Sequence, residues 1–231
     1  MAIFPLSPSY GEKTNDMIRI EPLVFNPFQV NTYLVIDEEG SCLVVDPAFY
    51  SPEEETAFDK HISEAELTLV GQINTHCHVD HVLGVRYLQQ KYQLPLRAHK
   101  NEAGLLNNAP LMGEVYGMKV EAIPKIDEEV SDGDLIPFNG KTLLAILVPG
   151  HSPGSLSFYS QEGGFVITGD ALFQGSIGRT DLPGGDYDTL IHSIRARLLT
   201  LPPKTIVYPG HGEPSSIGDE ARGNPFLTMV E

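Results

Sequence analysis

Four apolar, β-rich segments of the chain are each followed by a residue that can bind a metal ion. His76 and His78 follow LTLVGQIN, His151 follows TLLAILVPG, Asp170 follows FVITG, and His211 follows TIVYPG. In α/β folds, functional side chains collect on loops just beyond the strand ends, where the sheet holds them rigidly. If the four strands share one sheet and one direction, these side chains meet at one edge. The pattern therefore predicts an α/β fold with a metal site at that edge.

The segment NTHCHVDH holds three of the eight histidines of the chain. Alternate side chains of an extended segment point the same way, so we expect His76 and His78 to share one ion. Cys77 would point away, and we interpret it as a small buried hydrophobic residue rather than a ligand. Asp80 and His81 fall where the next helix starts and would face a neighbouring position. The loop therefore predicts two adjacent metal sites.

The donor types indicate which metal could bind. A single histidine or aspartate after a strand is usually a surface or turn residue, so the prediction depends on their joint occurrence. Imidazole and carboxylate ligands suit zinc, iron, manganese or nickel better than calcium or magnesium. No four-cysteine set is present to form a closed structural zinc site. We expect two divalent ions, with zinc first and iron or manganese as alternatives; such pairs can activate a shared hydroxide.

Capping and turn signals predict the other elements. SPEEETAFDKHI opens with a capping box, and HVLGVRYLQQKY has a helical apolar face. A short helix is expected around residues 102–106. DYDTLIHSIRARLLTLPP is an amphipathic helix that begins at Asp186 or Asp188. The dipeptide Asn139-Gly140 is a strong signal for a β-hairpin.

Composition restricts the partners and the compartment. The net charge of −16 would repel nucleic acid and anionic membranes. The two cysteines form no disulfide framework, which fits a reducing cytoplasm. Residues 1–17 have neither a basic start nor a long apolar run, so we expect a loosely held arm rather than a signal peptide. Residues 18–231 are predicted to form one domain.

Four motifs occur in an order that is typical of one family. These are THCHVDH, PGHSPGS, TGDALF and VYPGHG. From about Ile18 onward the sequence resembles the metallo-β-lactamase superfamily. It is most similar to the short glyoxalase II-like (hydroxyacylglutathione hydrolase-like) hydrolases, to judge from FQGSIGRTDLPGGDYDTLIHSI, LPPKTIVYPGHGEPSSIGDE and NPFL. The resemblance implies a four-layer αβ/βα sandwich of the metallo-β-lactamase type.

The resemblance also implies a complete ligand set. One metal would be held by His76, His78 and His151, the second by Asp80, His81 and His211, with Asp170 bridging them. A histidine at position 78 also argues against the diiron reductases of the superfamily, which usually have glutamate there.

The implied activity is metal-dependent hydrolysis of a thioester. A metal-bridging hydroxide would attack a 2-hydroxyacyl thioester such as S-lactoylglutathione, and Asp80 would accept a proton besides ligating. Asp46 is expected either to orient a ligand or to form a strand-end turn. Arg179 is expected to form a structural salt bridge or to meet an anionic substrate group.

Three departures from the family pattern leave the thiol carrier open. The chain stops about twenty residues after His211, so the C-terminal helical domain that grips glutathione is expected to be missing. GHGEP stands where larger enzymes have GHEYT, and Ser155 replaces the second histidine of PGHTPGH. A small-molecule thioester is still the expected partner.

Two alternatives are left open by the sequence. A mono-iron persulfide dioxygenase shares GRTD and would need only His76, His151 and Asp170. A non-catalytic metal-binding scaffold is the alternative from another class, although every expected ligand is present. The later motifs disfavour a β-lactamase or lactonase, and the acidic charge disfavours a nuclease.

Overall fold

A computed structural model describes residues 18–228 of the protein. The arm predicted for residues 1–17 lies outside this range. The strands, in chain order, are β1 (Arg19–Phe25), β2 (Val30–Ile36), β3 (Ser41–Val45), β4 (Thr68–Ile73), β5 (Leu96–Ala98), β6 (Glu128–Glu129), β7 (Leu135–Phe138), β8 (Lys141–Leu147), β9 (Leu156–Ser160), β10 (Phe165–Gly169), β11 (Leu172–Phe173), β12 (Ser176–Ile177), β13 (Ile206–Pro209) and β14 (Ser215–Ser216).

Six helices connect or cover these strands. They are α1 (Pro52–Glu64), α2 (Val85–Tyr92), α3 (Ala103–Val115), α4 (Tyr187–Ser193), α5 (Ile217–Gly223) and α6 (Pro225–Thr228). A π-helical segment, Ile194–Leu198, continues α4, and 3-10 turns occur at Val79–His81 and Lys100–Glu102. None of the helices within residues 18–228 is both long and apolar enough to cross a bilayer.

Strands β11 and β12 pair as a separate two-stranded sheet, and the other strands form two six-stranded sheets packed face to face. The first has the order β1-β2-β3-β4-β5-β6 and the second β14-β13-β10-β9-β8-β7. Between them lies a core to which Val35 and Ile73 contribute from one sheet and Phe158 and Ile167 from the other. Helices α1 and α2 cover the outer face of the first sheet, and α4, α5 and α6 cover that of the second. The predicted four-layer αβ/βα sandwich is confirmed.

The four strands that precede the predicted ligands do not share one sheet. Strand β4 belongs to the first sheet, whereas β8, β10 and β13 belong to the second. Both β8 and β10 are antiparallel to β9, and β10 is parallel to β13, so these three run in one direction. The single sheet edge expected from the sequence is therefore wrong, and the ligands come from two sheets.

Two helices differ in extent from the sequence expectation. Helix α2 starts only at Val85, because the chain first makes a 3-10 turn. Gly84, just before the helix, lies against the ring of Phe49, where a Cβ would be 2.6 Å from a ring carbon. Helix α3 has 13 residues and is longer than the predicted short helix. Leu106 and Ala109 are buried on its inner face. Its other face is exposed, so the buried residues are too few to show a helical period in the sequence.

The predicted turn and caps are present. Asn139 and Gly140 both have positive φ, 41° and 80°, and join β7 to β8 as a tight hairpin requires. Of the two candidate caps of α4, Asp186 is the one used, because its side chain accepts a hydrogen bond from the Thr189 amide at 2.7 Å. Local side-chain chemistry thus determines where these elements begin.

The capping box of α1 gives a direct test of local stability. Ser51 Oγ accepts from the Glu54 amide at 3.3 Å, and Glu54 Oε2 accepts from the Ser51 amide at 3.4 Å. Replacing Ser51 with Ala should lower the free energy of unfolding by about 1 kcal/mol, measured by chemical denaturation. Ser63→Ala, at an exposed position of the same helix, is the matched control. An equal effect of both substitutions would contradict a capping role.

Candidate metal centre

The seven predicted ligands lie together where the ends of the two sheets meet. They form two groups, one of His76, His78 and His151 and one of Asp80, His81 and His211, and within each group the ligand atoms lie within 4.8 Å of one another. Asp170 lies between the groups. Its Oδ1 is 3.4 Å from His81 Nε2, while its Oδ2 is 3.6 Å from His211 Nε2 and 3.7 Å from His151 Nε2.

Three histidine nitrogens face one another in the first group. His151 Nε2 lies 2.8 Å from His78 Nδ1 and 3.2 Å from His76 Nε2. Burial, reinforced by neighbouring histidines, holds the pKa of His76 well below its usual value and lowers that of His78 to about 4. Burial also lowers the pKa of His151. These rings are therefore neutral near pH 7 and present lone pairs.

Backbone carbonyls determine which nitrogen carries the lone pair in two of the ligands. His151 Nδ1 is 2.8 Å from the carbonyl oxygen of Arg179, and His211 Nδ1 is 3.0 Å from that of Phe28. Because a carbonyl oxygen can only accept, each Nδ1 must carry the proton. The Nε2 atoms of both rings are then free to bind a cation.

Asp46 orients two further ligands from behind the site. Its Oδ2 accepts from His81 Nδ1 at 3.0 Å and from the hydroxyl of Thr75 at 2.6 Å. Since Thr75 gives its proton to Asp46, its oxygen accepts from His76 Nδ1 at 3.0 Å. Asp46 also has the positive φ, 50°, of a turn residue just after β3. Asp46 therefore both orients ligands and forms a strand-end turn, the two roles that the sequence offered as alternatives.

The donor set fits a divalent metal. The buried atoms His81 Nε2 and Asp170 Oδ1 face each other at 3.4 Å, but neither makes a hydrogen bond of good geometry within residues 18–228. Leaving such atoms unpaired is costly, and a cation would satisfy both. Burial alone would raise the pKa of Asp170, but His81, His76 and His151 together hold it well below the usual value. An ionised carboxylate surrounded by imidazole nitrogens is a divalent metal site.

Asp80 and Arg179 occupy different parts of the site. Asp80 Oδ2 is 3.4 Å from His211 Nε2 and lies at the floor of the cleft. The Arg179 side chain lines the cleft but already binds Asp181 through two hydrogen bonds of 2.7 Å. Its backbone carbonyl, which holds His151, is a contribution that the sequence does not indicate.

Glu102 is a buried carboxylate that sequence reasoning missed. Its Oε2 accepts from the Cys77 amide at 2.7 Å, and its Oε1 accepts from Ser152 Oγ at 2.8 Å and the Gly154 amide at 2.6 Å. It thereby ties the loop of His76 and His78 to the loop of His151. Cys77 itself is fully buried among apolar side chains, as predicted. No signal in KNEAGLL distinguishes Glu102 from an exposed helix-start glutamate.

Two glycines allow the chain to approach Asp170 closely. A Cβ at Gly210 would lie 2.1 Å from Asp170 Oδ1, and one at Gly178 would lie 1.8 Å from the Asp170 carbonyl oxygen. No side chain fits at either position. The glycines of VYPGHG and GSIGRTD therefore belong to the site, and a glycine adjacent to a predicted ligand was the signal available in the first of these motifs.

The metal centre forms the floor of a cleft of about 240 Å³. Its wall is mainly apolar and includes Phe28, Val79, Met112, Tyr116 and Leu182. A small organic group could therefore lie against the donors with most of its surface out of water.

Comparison with known proteins assigns the family. The family model of the metallo-beta-lactamase superfamily matches residues 25–211, a span that contains all seven predicted ligands. The chain belongs to this superfamily. This superfamily includes metal-dependent hydrolases, so the family and the donor geometry agree on a metal-binding hydrolase fold.

Two curated relatives are similar over nearly the whole chain. The probable metallo-hydrolase YqgX of Bacillus subtilis (strain 168) is 40% identical over 205 residues, which cover 87% of this chain and 93% of the relative. The hydroxyacylglutathione hydrolase GloC of Haemophilus influenzae is 35% identical over 217 residues, 91% of this chain and 98% of the relative. The second relative supports the glyoxalase II-like resemblance.

Three solved structures share the fold. BLEG-1 B3 metallo-beta-lactamase has a TM-score of 0.85 and 32% identity, covering 91% of this chain and all 100% of its own. TTHA1623 in a di-iron-bound form has a TM-score of 0.80 and 38% identity, and the match covers 89% of this chain and 99% of TTHA1623. ETHE1 from Myxococcus xanthus has a TM-score of 0.72 and 28% identity, and the match covers 90% of this chain and 83% of ETHE1.

Replacing Asp46 with Asn should weaken metal binding about 10–100-fold, because its NH2 group cannot accept a hydrogen bond. That group would have to face either the His81 ring and the Thr75 hydroxyl or the Thr75 amide, all of which donate to Asp46. Chelator competition on the metal-reconstituted protein measures the change. Asp37→Asn is the matched control, because Asp37 is also buried but lies in the turn after β2. Equal metal affinity in both variants would show that Asp46 does not orient the ligands.

Replacing Glu102 with Gln should lower the free energy of unfolding by about 1–3 kcal/mol, because one buried donor loses its acceptor. Chemical denaturation of the metal-free protein measures this loss independently of metal binding. Glu114→Gln, at an exposed position of α3, should have no comparable effect. Unchanged stability of the Glu102 variant would contradict its role as a link between the two loops.

Proposed function

We propose that the protein is a metal-dependent hydrolase of 2-hydroxyacyl thioesters, with S-lactoylglutathione as the reference substrate. The observation that supports this most strongly is the pair of donor groups on one cleft floor, joined by Asp170. Two donor groups with an acid between them suit two divalent ions. Zinc is the proposed ion, with iron or manganese as alternatives.

Bound divalent ions would lower the pKa of a water molecule and polarise the carbonyl that it attacks. The protein's own residues prepare the site for this chemistry. Asp46 and the Arg179 carbonyl fix the ring tautomers of the ligands, so little rearrangement is needed. Asp80 Oδ2, on the cleft floor, is assigned to hold or accept a proton besides ligating. The apolar wall would cover part of the thioester with apolar side chains.

The relatives support both the reaction and the number of ions. GloC is named a hydroxyacylglutathione hydrolase, and it is aligned with this chain over 98% of its length. TTHA1623 was crystallised in a di-iron-bound form and is 38% identical. These similarities favour a thioester substrate and a two-ion site, with iron as the chief alternative to zinc.

Mono-iron persulfide oxidation is the second candidate, favoured by the similarity to ETHE1 and by the geometry of three residues. His76, His151 and Asp170 lie close together, with His151 Nε2 3.2 Å from His76 Nε2 and 3.7 Å from Asp170 Oδ2. This activity would leave Asp80, His81 and His211 without a metal-binding role. A non-catalytic metal-binding scaffold would tolerate the loss of one or more ligands, whereas all seven are present in this chain.

A substrate screen on metal-reconstituted protein tests the proposal. Thioesters, lactones and β-lactams are assayed for hydrolysis, with oxygen uptake measured on glutathione persulfide. We expect release of free thiol from lactoyl thioesters, about two bound ions per chain by elemental analysis, and loss of activity with a chelator. The double variant with His78→Ala and Asp170→Ala should be inactive, whereas His192→Ala, on an exposed part of α4, should retain activity.

Each alternative predicts a different outcome of this screen. Oxygen uptake coupled to sulfite formation would support the dioxygenase and overturn the hydrolase. Turnover of lactones or β-lactams without any thioester turnover would change the substrate class. Full activity of the double variant would show that the metal centre is not catalytic.

A further inference from the structure

The end of α3 presents three exposed apolar side chains next to the cleft. Leu111, Val115 and Tyr116 are 61%, 68% and 43% exposed; these three residues are called the apolar rim. Leu111 and Val115 are four residues apart and lie on the same helix face. Tyr116 also lines the cleft, so the rim is continuous with the cleft wall. Contiguous exposed apolar surface of this kind marks a binding site more often than an ordinary surface.

The wall below the rim is aromatic. The ring of Tyr116 meets that of Phe28 edge to face, with centroids 5.0 Å apart and an interplanar angle of 83°. Phe28 lies between β1 and β2, whereas Tyr116 follows α3, so two separate parts of the chain build this wall. Such a pair offers apolar contact area beside the donors, since the Phe28 carbonyl accepts from His211 Nδ1.

The cleft offers little to an anionic carrier. Among the described residues that line it, Arg179 is the only lysine or arginine, and its guanidinium is already bound to Asp181. The carboxylates of glutathione would compete with Asp181 for this cation.

The size of the cleft determines how a thioester would lie in it. At about 240 Å³ it is smaller than the roughly 300–1,000 Å³ of pockets that enclose a whole drug-sized ligand. It can hold the acyl group and the thioester but not a large carrier. A hydroxyacyl group matches the polar floor, so the sulfur and its carrier extend along the aromatic wall to the rim.

We propose that the thiol carrier of the substrate is an apolar group that packs on the Phe28–Tyr116 wall and the apolar rim. This inference rests on the proposed thioester hydrolysis and concerns only the carrier. A site built this way selects between carriers that share one acyl group.

The test compares two thioesters of lactate, one with glutathione and one with phenylmethanethiol. With metal-reconstituted wild-type protein, kcat/KM for the phenylmethanethiol ester should exceed that for S-lactoylglutathione by about tenfold. A rim variant with Leu111→Gln and Val115→Thr should bring this ratio close to one. Leu135→Gln is the matched control, because Leu135 is 63% exposed but lies on edge strand β7 and does not line the cleft.

Comparing the ratio between variants removes differences in the intrinsic reactivity of the two esters. A wild-type preference for S-lactoylglutathione, or a ratio unchanged in the rim variant, would overturn the apolar carrier and leave thioester hydrolysis intact. Hydrolysis of neither ester would instead count against the proposed function. A rim variant that changes from dimer to monomer by light scattering, with the ratio unchanged, would make the rim an interface between copies of the chain.

Discussion

The arrangement of the site depends on one buried, ionised carboxylate, that of Asp170. Three histidines offset the cost of its burial, and together they hold its pKa well below the usual value. Those histidines are themselves kept in place by groups outside the centre, chiefly Asp46 and the carbonyl of Arg179. A buried charge is stable only when opposite charge and hydrogen bonds surround it. A divalent cation is the positive charge that this arrangement of donors accommodates best beside the Asp170 carboxylate.

Each of the two donor groups is assembled by the packing of the two sheets, because each combines ligands from loops of both. The first sheet supplies the loop of His76 and His78, and the second supplies the loops of Asp170 and His211. The Tyr33 hydroxyl donates to the Pro209 carbonyl at 2.6 Å, and the Asn31 amide donates to the Gly210 carbonyl at 2.8 Å. These bonds fix the last ligand loop to the first sheet. The centre is therefore a property of the whole sandwich rather than of any single motif.

The sequence predicted the ligands well because strand-end residues and the NTHCHVDH spacing are local features. It did not predict which sheet each strand joins, since the partners of a strand are chosen by contacts between residues far apart in the sequence. Helix α3 was underestimated because its exposed face mixes polar residues with apolar ones such as Leu111 and Val115, which obscures the buried stripe at Leu106 and Ala109. Glu102 could not be identified, because its three hydrogen-bond donors come from parts of the chain that are 25, 50 and 52 residues distant. Each feature that the sequence analysis missed depends on tertiary contacts, which the local sequence does not reveal.

Ser155, which departs from the family pattern, has a structural position rather than a substrate-binding one. Ser155 is buried, and its hydroxyl is 2.7 Å from that of Ser152, which in turn donates to Glu102. The serine therefore supports the loop of His151 and does not line the cleft. The substitution at this position therefore leaves the metal-binding floor and the lining of the cleft unchanged. Under the proposed thioester hydrolysis, the floor would bind the carbonyl of any thioester, so a choice between carriers would come from the aromatic wall and the surface next to it.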